Sequence, residues 1–525
     1  MEIVHAVLAL TAACIGFALI ARTARLPYAV ILVLGGMALA FIPGVPAVEL
    51  DPDLALAFFL PPLLMASAWR TDWRAFRAHL RPILLLAVGA VLFSAIMVAL
   101  VAKLLLPGLP FAAALALGAI IAPPDAVAAG AVLARLKLPR RLSVVIEGES
   151  LVNDAAALVL YRFAIAAVAA GSIALEGVAG TFALLAAGGI LVGAATGFAA
   201  NWVFKHLRDP LLDTAASFVA CFAGFFAAEA VGVSGVIAVV TAGLLMGQLQ
   251  HRTLTPETRV AAVTVWRFVE FVLTSLVFIL VGLQLRAVLE RIADRGILEL
   301  ATLAVAISAT LILARFAWVW PAAWLPVLIP GVRRREGTPR HRELLVLSWA
   351  GMRGVVSLAA ALALPANFPE RDLLVFLAFA AILATLVLQG TTLGMVARRA
   401  RVEERRVPGM DPMEAALRNQ VAGAMAAEVA RRAEDLLEGP IARDLLAEYQ
   451  DKARIFSGLA GGAGPAEMRA RLTIRLAALK AGRARLLAAH REGGLPDELL
   501  AALENEQDLE ELRIRRLLGA PEPAR

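Results

Sequence analysis

A short segment, EGESLVNDA, combines ionisable side chains with apolar surroundings in a way that suits ion binding. On a helix, Glu149 and Asn153 are four residues apart and share one face. Ser150 and Asp154 are also four residues apart, on a face about 100° away. A carboxylate with a hydroxyl one turn away offers hard oxygen ligands for a monovalent cation, and burial favours the neutral carboxyl, so Asp154 can hold a cation or a proton. The alternative is a structural role, in which Asp154 only bonds to neighbouring helices.

A second segment, APPDAV, places two successive prolines, Pro123 and Pro124, in the middle of an apolar run. Proline removes an amide donor and clashes with the preceding turn, so the pair predicts a broken helix with free carbonyls. Broken helices inside membranes are tolerated where they line a cavity. Asp125 follows the break and can cap the new helix start. The alternative is a capped kink without contact to any substrate.

A third segment, WAGMRGVVS, carries Arg353 between Gly351 and Gly354, and the two glycines predict a second helix break within an apolar run. An arginine in this setting stays protonated and needs a carboxylate partner, for which Glu149 is our choice. Such a permanent pair is expected to be structural. The remaining charged residues within apolar runs are expected to snorkel or to pair locally. They are Arg162, Glu229, Arg267, Glu270 and Arg315.

The composition explains what must position these groups. The 525 residues are 60% hydrophobic and 18% charged, whereas soluble domains are about 45–50% apolar and about 25% charged. Charged residues form 13% of residues 1–400 and 33% of residues 401–525. The excess of basic residues lies in the apolar part, which indicates loops beside membrane spans and no nucleic-acid partner.

Apolar runs long enough to approach the thickness of a bilayer, about 20 residues each, predict thirteen spans. Their approximate bounds are 1–21, 27–42, 54–69, 82–104, 110–134, 142–170, 177–204, 212–230, 232–248, 261–285, 297–327, 343–365 and 372–397. The predicted fold is therefore an all-α polytopic membrane protein. An odd count suits two inverted six-helix repeats with broken helices plus one extra helix.

Basic residues in alternate loops predict the orientation. Nineteen lysines and arginines fall on one side of the predicted spans and five on the other. The richer side is expected to be cytoplasmic, which places the N-terminus outside and the C-terminus inside a cell (inner or plasma) membrane. We therefore divide the chain into a membrane domain, 1–400, and a cytoplasmic helical domain, 401–525. The second domain has helical periodicity over 412–438, 440–458, 466–491 and 496–518.

The sequence lacks a phosphate-binding loop, a nucleophile elbow, a zinc-protease motif and a dinucleotide fingerprint. An enzyme and a cofactor are therefore not predicted, and gradient-driven transport is the remaining class. In its three segments the sequence resembles the electroneutral monovalent cation:proton antiporters of the sodium/proton exchanger family. The Asn153–Asp154 pair is similar to the hallmark of that family, and the resemblance covers residues 5–400.

The resemblance implies a binding set at the membrane centre. Asp154 would be the principal carboxylate for cation and proton, and Ser150 a direct ligand of the cation. The backbone at Pro124 would offer a carbonyl, and Asp125 would support these ligands without binding the cation directly.

The resemblance also implies a supporting set and an assembly. Glu149 and Arg353 would form an ion pair that Asn153 helps to hold. The family fold implies a homodimer in the lipid bilayer, in which a core bundle moves against an interface domain.

The sequence departs from the family in its third span. Many members carry an acid after Pro-Pro-Leu-Leu, but here Pro61–Leu64 is followed by Met65–Ala68, in which only Ser67 offers a hydroxyl. This departure leaves the choice between Na⁺ and K⁺ open. Because Asn153 beside Asp154 leaves one exchanging carboxylate, we expect electroneutral exchange of Na⁺ for H⁺ by alternating access, with K⁺ (or Li⁺) as alternative substrate ions. A cation channel and a membrane sensor that signals through the tail are the alternatives from other classes.

Overall fold

The computed structural model describes residues 2–24, 26–42, 52–125, 129–130, 138–171, 178–402, 412–433, 441–450, 465–491 and 497–518. Within these residues every regular element is helical. The chain forms two compact units, Met1–Glu404 and Arg405–Arg525. The sequence composition predicted this boundary four residues earlier, between residues 400 and 401.

Sixteen helices are described in the first unit. They are α1 (Glu2–Ala24), α2 (Tyr28–Ala40), α3 (Pro52–Arg70), α4 (Trp73–Ala78), α5 (Leu80–Leu105), α6 (Phe111–Ile121), α7 (Arg140–Ala170), α8 (Val178–Leu207), α9 (Pro210–Ala230), α10 (Gly235–Thr253), α11 (Pro256–Arg291), α12 (Ile297–Trp324), α13 (Pro330–Glu336), α14 (His341–Trp349), α15 (Val355–Leu362) and α16 (Arg371–Arg399). A π-helical stretch, Leu85–Ala90, lies inside α5.

Several of these helices begin where the sequence supplies a capping side chain. Asp72, Asp209, Ser234 and Thr255 each accept a hydrogen bond from a backbone amide in the first turn of α4, α9, α10 and α11, respectively. Such caps satisfy amides that have no partner within the helix. The short loops between the long apolar helices are therefore fixed by local chemistry.

Each predicted span overlaps a helix or a broken pair of helices. Among the described residues, seven helices are long and apolar enough to cross a membrane, and others are shorter. The all-helical class and the two breaks are confirmed, because α6 ends at Ile121 and residues 350–354 separate α14 from α15. The count of thirteen crossings and the inverted repeat stay predictions. Residues 126–128 and 131–137 of the fifth predicted span lie outside the described residues.

The first unit is organised around two hydrophobic cores. One core joins α2, α5, α6, α12 and α14–α16, and the other joins α3 with α8–α10. Three helices, α5, α7 and α11, contribute buried side chains to both. These shared helices are therefore the elements on which residues of both cores can meet.

Small residues let α2 and α11 pack with their backbones in contact. A Cβ added to Gly36 would lie 2.3 Å from the Ile279 carbonyl oxygen, and one added to Gly282 would lie 2.3 Å from the Val33 carbonyl oxygen. The two glycines face each other, so neither backbone can retreat without separating the helices. Close backbone approach through small residues is the usual way that membrane helices associate.

We expect Gly282→Ala to destabilise the first unit by about 1–3 kcal/mol, the usual cost of overpacking. The measurement is the melting temperature and folded yield of the purified protein in detergent. Gly16→Ala is the matched control, because a Cβ at Gly16 in α1 would have no neighbour within 4 Å. Equal melting temperatures for the two variants would contradict the packing argument.

The second unit is helical wherever it is described. It contains α17 (Pro412–Arg432), a helical stretch at 441–450, α18 (Pro465–Arg491) and α19 (Asp497–Leu518). Arg483 of α18 pairs with Asp508 and, at 3.1 Å, with the largely buried Glu511 of α19. The two helices therefore pack against each other and are joined by ion pairs. Residues 492–496, between α18 and α19, lie outside the described residues.

Candidate functional site

A cavity of about 640 Å³ lies between α3, α7, α11 and the two helix breaks. Its wall on α7 is a single helical stripe of Glu147, Ser150, Leu151 and Asp154. Along this stripe Glu147 is exposed, Ser150 is half-buried, and Asp154 is only 8% exposed. Seven residues of helix correspond to about 10 Å. Asp154 therefore lies well below the mouth of the cavity.

The walls on α11 and α3 show the same gradient. On α11, Arg267 is exposed and Glu270 half-buried, whereas Thr274 is 2% exposed. On α3, Leu60 is buried and Arg70 is exposed. All three helices place their charged residues at one end, where α3 ends and α7 and α11 begin. The cavity consequently has one charged mouth and one inner end.

An ion pair stands at this mouth. Arg70 donates from both terminal nitrogens to the two carboxylate oxygens of Glu270, at 2.6 and 2.9 Å. Beside it, Asp72 accepts a hydrogen bond from Arg140 at 2.6 Å. The amide of Ala75, foremost, and the Arg140 guanidinium hold the pKa of Asp72 below its ordinary value.

The two helix breaks meet at the inner end of the cavity. The Asp125 amide donates to the Met352 carbonyl at 2.7 Å, so one break satisfies the backbone of the other. A Cβ at Gly354 would lie 1.9 Å from Asp125 Oδ2, which explains the glycine at that position. The Asp125 carboxylate thus sits against the N-terminal end of α15, where the helix dipole stabilises a negative charge.

All four residues predicted to bind the ion line this one cavity: Pro124, Asp125, Ser150 and Asp154. The structure therefore brings the predicted binding set together. One of the four has a second task, because the Pro124 carbonyl accepts a hydrogen bond from Asn153 Nδ2 at 2.6 Å. A carbonyl oxygen has two lone pairs, so this bond leaves the oxygen able to accept one more interaction.

The expected role of Asn153 has to be corrected. We predicted that it helps to hold the ion pair of Glu149, but its amide instead holds the break in the fifth span through Pro124. The reason is local. The two prolines free carbonyls in that break, and a buried side-chain amide is the nearest donor that can satisfy one of them.

The predicted pair of Glu149 and Arg353 is wrong. Glu149 is bound by Arg315 of α12, whose two terminal nitrogens donate to the two carboxylate oxygens at 2.6 and 2.8 Å. Both side chains are almost fully buried. Arg315 approaches from a continuous helix with its whole guanidinium edge, and its Nε also donates to the Leu347 carbonyl. A planar fork suits bidentate binding of a carboxylate.

Arg353 is buried close to this pair but turns back on its own segment. Its Nη1 donates to the Gly351 carbonyl at 2.7 Å, and its amide donates to Thr385 Oγ1 of α16. A Cβ at Gly351 would lie 2.5 Å from the Arg315 stem and 3.4 Å from Arg353 Nη1. Gly351 therefore makes room for both arginines.

Arg315 was missed because its surroundings carry no motif, and it was expected to lie near a span end. Its position 19 residues into the 28-residue α12 is the signal that was available. Of the other charged residues in that group, Arg162 pairs with Glu229 at the surface, and Glu270 pairs with Arg70.

Hydroxyl groups complete the polar lining of the cavity. Ser67 of α3, Thr274 of α11 and Ser357 of α15 line it together with Ser150. Ser67 was noted from the sequence, but Thr274 and Ser357 were not, since single hydroxyls in apolar helices are common. Within the described residues the buried Thr274 Oγ1 has no hydrogen-bond partner.

A cavity that reaches mid-helix carboxylates between discontinuous helices is the arrangement of secondary transporters. The comparison with protein families agrees. A family model described as the transmembrane sodium/hydrogen exchanger matches residues 7–399, and the chain belongs to this family.

Named relatives are similar over most of their length. The Na⁺/H⁺ exchanger Mb2309 of Mycobacterium bovis is 31% identical, over 97% of this chain and 95% of that protein. The sodium, potassium, lithium and rubidium/H⁺ antiporter of Bacillus pumilus is 33% identical, over 76% and 62% of the two chains. The Na⁺/H⁺ antiporter ApNhaP of Aphanothece halophytica is 32% identical, over 72% and 71%.

A solved structure is similar in fold. The sodium proton antiporter MjNhaP1 from Methanocaldococcus jannaschii superposes with a TM-score of 0.58 at 18% sequence identity. The match covers 77% of this chain and all of the other. The mycobacterial similarity extends beyond the first unit, whereas the family model ends at residue 399.

The Glu149–Arg315 ion pair leads to a prediction about the stability of the folded protein. We expect Arg315→Gln to destabilise the protein by about 3–5 kcal/mol, because it leaves the Glu149 carboxylate buried without its partner. Arg353→Gln should cost less. Thermal unfolding of the purified variants in detergent is the measurement.

The double variant Glu149→Gln with Arg315→Gln serves as the control, because it removes both charges together. It should recover much of the lost stability. A larger loss in Arg353→Gln than in Arg315→Gln would restore the pairing first expected from the sequence.

Proposed function

We propose that the protein is a secondary antiporter that exchanges a monovalent cation, foremost Na⁺, for H⁺ in an electroneutral cycle. The observation that carries the proposal is the convergence of Asp154, Ser150, Asp125 and Pro124 on the inner end of one cavity. Asp154 is the deeply buried carboxylate of this lining. The names of relatives, which specify Na⁺/H⁺ exchange or exchange of several alkali cations, support it.

Exchange follows from competition for one carboxylate. The ionised Asp154 binds the cation, with the Ser150 hydroxyl as a further ligand. When Asp154 takes a proton it loses its charge, and the cation leaves. Asn153, the neighbouring residue, is a neutral amide and adds no second exchanging group. One proton therefore replaces one cation, and the charge that crosses the membrane in each cycle is zero.

Asp125 and Pro124 support this exchange at Asp154. The Asp125 carboxylate is held in place against the start of α15, and its charge makes the electrostatic potential in the cavity more negative. The Pro124 carbonyl is fixed by Asn153 and can offer its remaining lone pair to the ion. Both residues keep the two breaks in one geometry, so the cation meets a preformed set of oxygens.

Alternating access is the mode of transport that we propose. The charged mouth lies at the end of α3 that basic loops assign to the cytoplasm, so this conformation is the inward-facing one. The proposal includes a cell-membrane location, an outside N-terminus, a cytoplasmic second unit and a homodimer. The Glu149–Arg315 pair ties α7 to α12 and makes them one moving body.

K⁺ is the second candidate substrate, and a specific feature favours it. The third span offers Ser67 where many members of the family carry an acid, so the cavity wall on α3 supplies a neutral oxygen. A less negative site binds a small, strongly hydrated ion such as Na⁺ less tightly. The difference in affinity between Na⁺ and K⁺ therefore becomes smaller. The Bacillus pumilus relative is named for both ions.

We expect Asp154→Asn to abolish exchange while the protein stays folded, because an amide cannot alternate between a proton and a cation. The measurement is Na⁺-, Li⁺- and K⁺-driven pH change in liposomes that contain the purified protein. Asp213→Asn is the matched control, since Asp213 is a buried carboxylate of α9 outside the cavity lining. Persisting exchange in Asp154→Asn would exclude Asp154 as the exchanging group, and cation flux without proton movement would indicate a channel.

Competition for one carboxylate also predicts a pH dependence. As the pH falls, protons occupy more of the site, so the cation concentration that gives half-maximal exchange must rise. Where the site is mostly protonated, the rise should be about tenfold for each pH unit by mass action. Initial rates in liposomes, measured against cation concentration over a pH series, test this. A half-saturating concentration that does not change with pH would contradict the shared site.

A further inference from the structure

A second, smaller cavity of about 80 Å³ lies in the first unit. It is formed by the beginning of α5, α7 and α14 together with the last part of α12, and it shares no lining residue with the ion cavity. Because α7 begins beside both cavities, the smaller one is at the same end of the unit as Arg70. The loop charges predict that this end faces the cytoplasm.

The lining of this cavity is positively charged. Three arginines contribute to it, Arg81 of α5, Arg141 of α7 and Arg340 before α14. Glu343 is the acid in the lining, and it lies 3.4 Å from Arg340. The four side chains together carry a net charge of +2. We call this site the arginine cavity.

Two helix N-termini add to the positive potential. α7 begins after Pro139 and α14 after Arg340, and neither of these residues accepts a capping hydrogen bond from the first turn through its side chain. Residues of both first turns line the cavity, among them Leu142 and Glu343. Backbone amides at helix starts bind anions, and phosphate in particular.

The other wall of the arginine cavity is aliphatic. Leu85, Val145, Val319 and Leu347 line it from four helices. A free anion would gain nothing from such a wall, whereas a phosphate that is joined to a glycerol would place the carbon atoms of the glycerol along it. About 80 Å³ admits a phosphate group but not a whole lipid, so the acyl chains must lie outside.

Aromatic residues mark the position of the bilayer surface next to the cavity. The rings of Trp320 and Trp324 each stack on the His341 ring, with centroids 5.3 and 5.2 Å away. Leu325 and Leu328, which follow them, are 62% and 78% exposed. Tryptophans gather at the level of lipid headgroups, and exposed leucines beside them suit contact with acyl chains.

We propose that the arginine cavity binds the phosphate group of an anionic phospholipid of the cytoplasmic leaflet. The arginines and the two helix N-termini hold the phosphate. The aliphatic wall contacts the glycerol, and the exposed leucines contact the acyl chains. Basic pockets between membrane helices on this side recognise such headgroups. The lipid would join α5, α7, α12 and α14, two of which carry the Glu149–Arg315 pair.

The test uses the full-length protein purified in detergent, titrated with short-chain phosphatidylglycerol. Short-chain phosphatidylcholine and inorganic phosphate are titrated in parallel. The melting temperature and the number of lipids bound by native mass spectrometry are recorded. We expect phosphatidylglycerol to bind and to raise the melting temperature, and the other two to have much smaller effects.

Two variants locate the binding. Arg141→Gln and Arg340→Gln should each weaken the apparent affinity for phosphatidylglycerol about fivefold, the effect of removing one basic residue from an anionic lipid surface. Arg340 is 79% exposed at its side chain, so its variant will fold even if Arg141→Gln does not. Arg77→Gln is the matched control, since Arg77 is an exposed residue of the neighbouring α4 that does not line the cavity.

Three results would overturn the proposal. The first is equal affinity for phosphatidylglycerol in Arg340→Gln and Arg77→Gln. The second is a response to phosphatidylcholine as large as that to phosphatidylglycerol, which would show that charge is not recognised. The third is a full response to inorganic phosphate, which would identify the ligand as a soluble anion and not a lipid.

Discussion

The cost of placing charge inside a hydrocarbon layer governs the structure of the first unit. Three carboxylates at the membrane interior meet that cost in three ways. Glu149 is bound bidentately by Arg315. Asp125 lies against the start of a helix, and Asp154 borders a cavity that leads to a charged mouth. Asp125 and Asp154 both line that cavity, whereas Glu149 does not, so the surroundings separate the ion-paired acid from the two acids that a mobile ion can reach.

A single helix, α7, carries these separate tasks on different faces. The residues spaced by three and four from Glu147 to Asp154 line the cavity, whereas Glu149 and Asn153 face the helix breaks and α12. This division follows from the helical repeat alone. It also explains the amide beside Asp154. Asn153 donates a hydrogen bond to a carbonyl in the neighbouring break, whereas an ionised carboxylate there would be repelled by the carbonyl oxygen.

Much of the fold, and the shared cavity face of Ser150 and Asp154, could be predicted from the sequence because each depends on local chemistry. Pro123 and Pro124 interrupt their helix as their chemistry predicts, although α3 continues through Pro61 and Pro62. The i, i+4 spacing places Ser150 with Asp154 on one face. Partners across the structure could not be predicted in this way. Glu149 had two buried arginines within reach, and the choice of Arg315 depends on how α12 packs and on the backbone turn that directs Arg353 onto Gly351. Spacing in the sequence contains neither.

The two arginines and one carboxylate leave the region behind the ion site with an excess positive charge. A main-chain oxygen accepts a hydrogen bond from the Arg353 guanidinium. Such oxygens are available because α14 ends at Trp349 and the segment that follows exposes carbonyls such as that of Gly351. The same discontinuity that frees these carbonyls turns the Met352 carbonyl toward the Asp125 amide. One break in a helix therefore provides a hydrogen-bond acceptor for the buried Arg353 on one side and fixes the segment that carries Asp125 on the other. For this reason the breaks and the charges have to be understood as one unit: removing either would leave the other without partners in a layer that supplies no water.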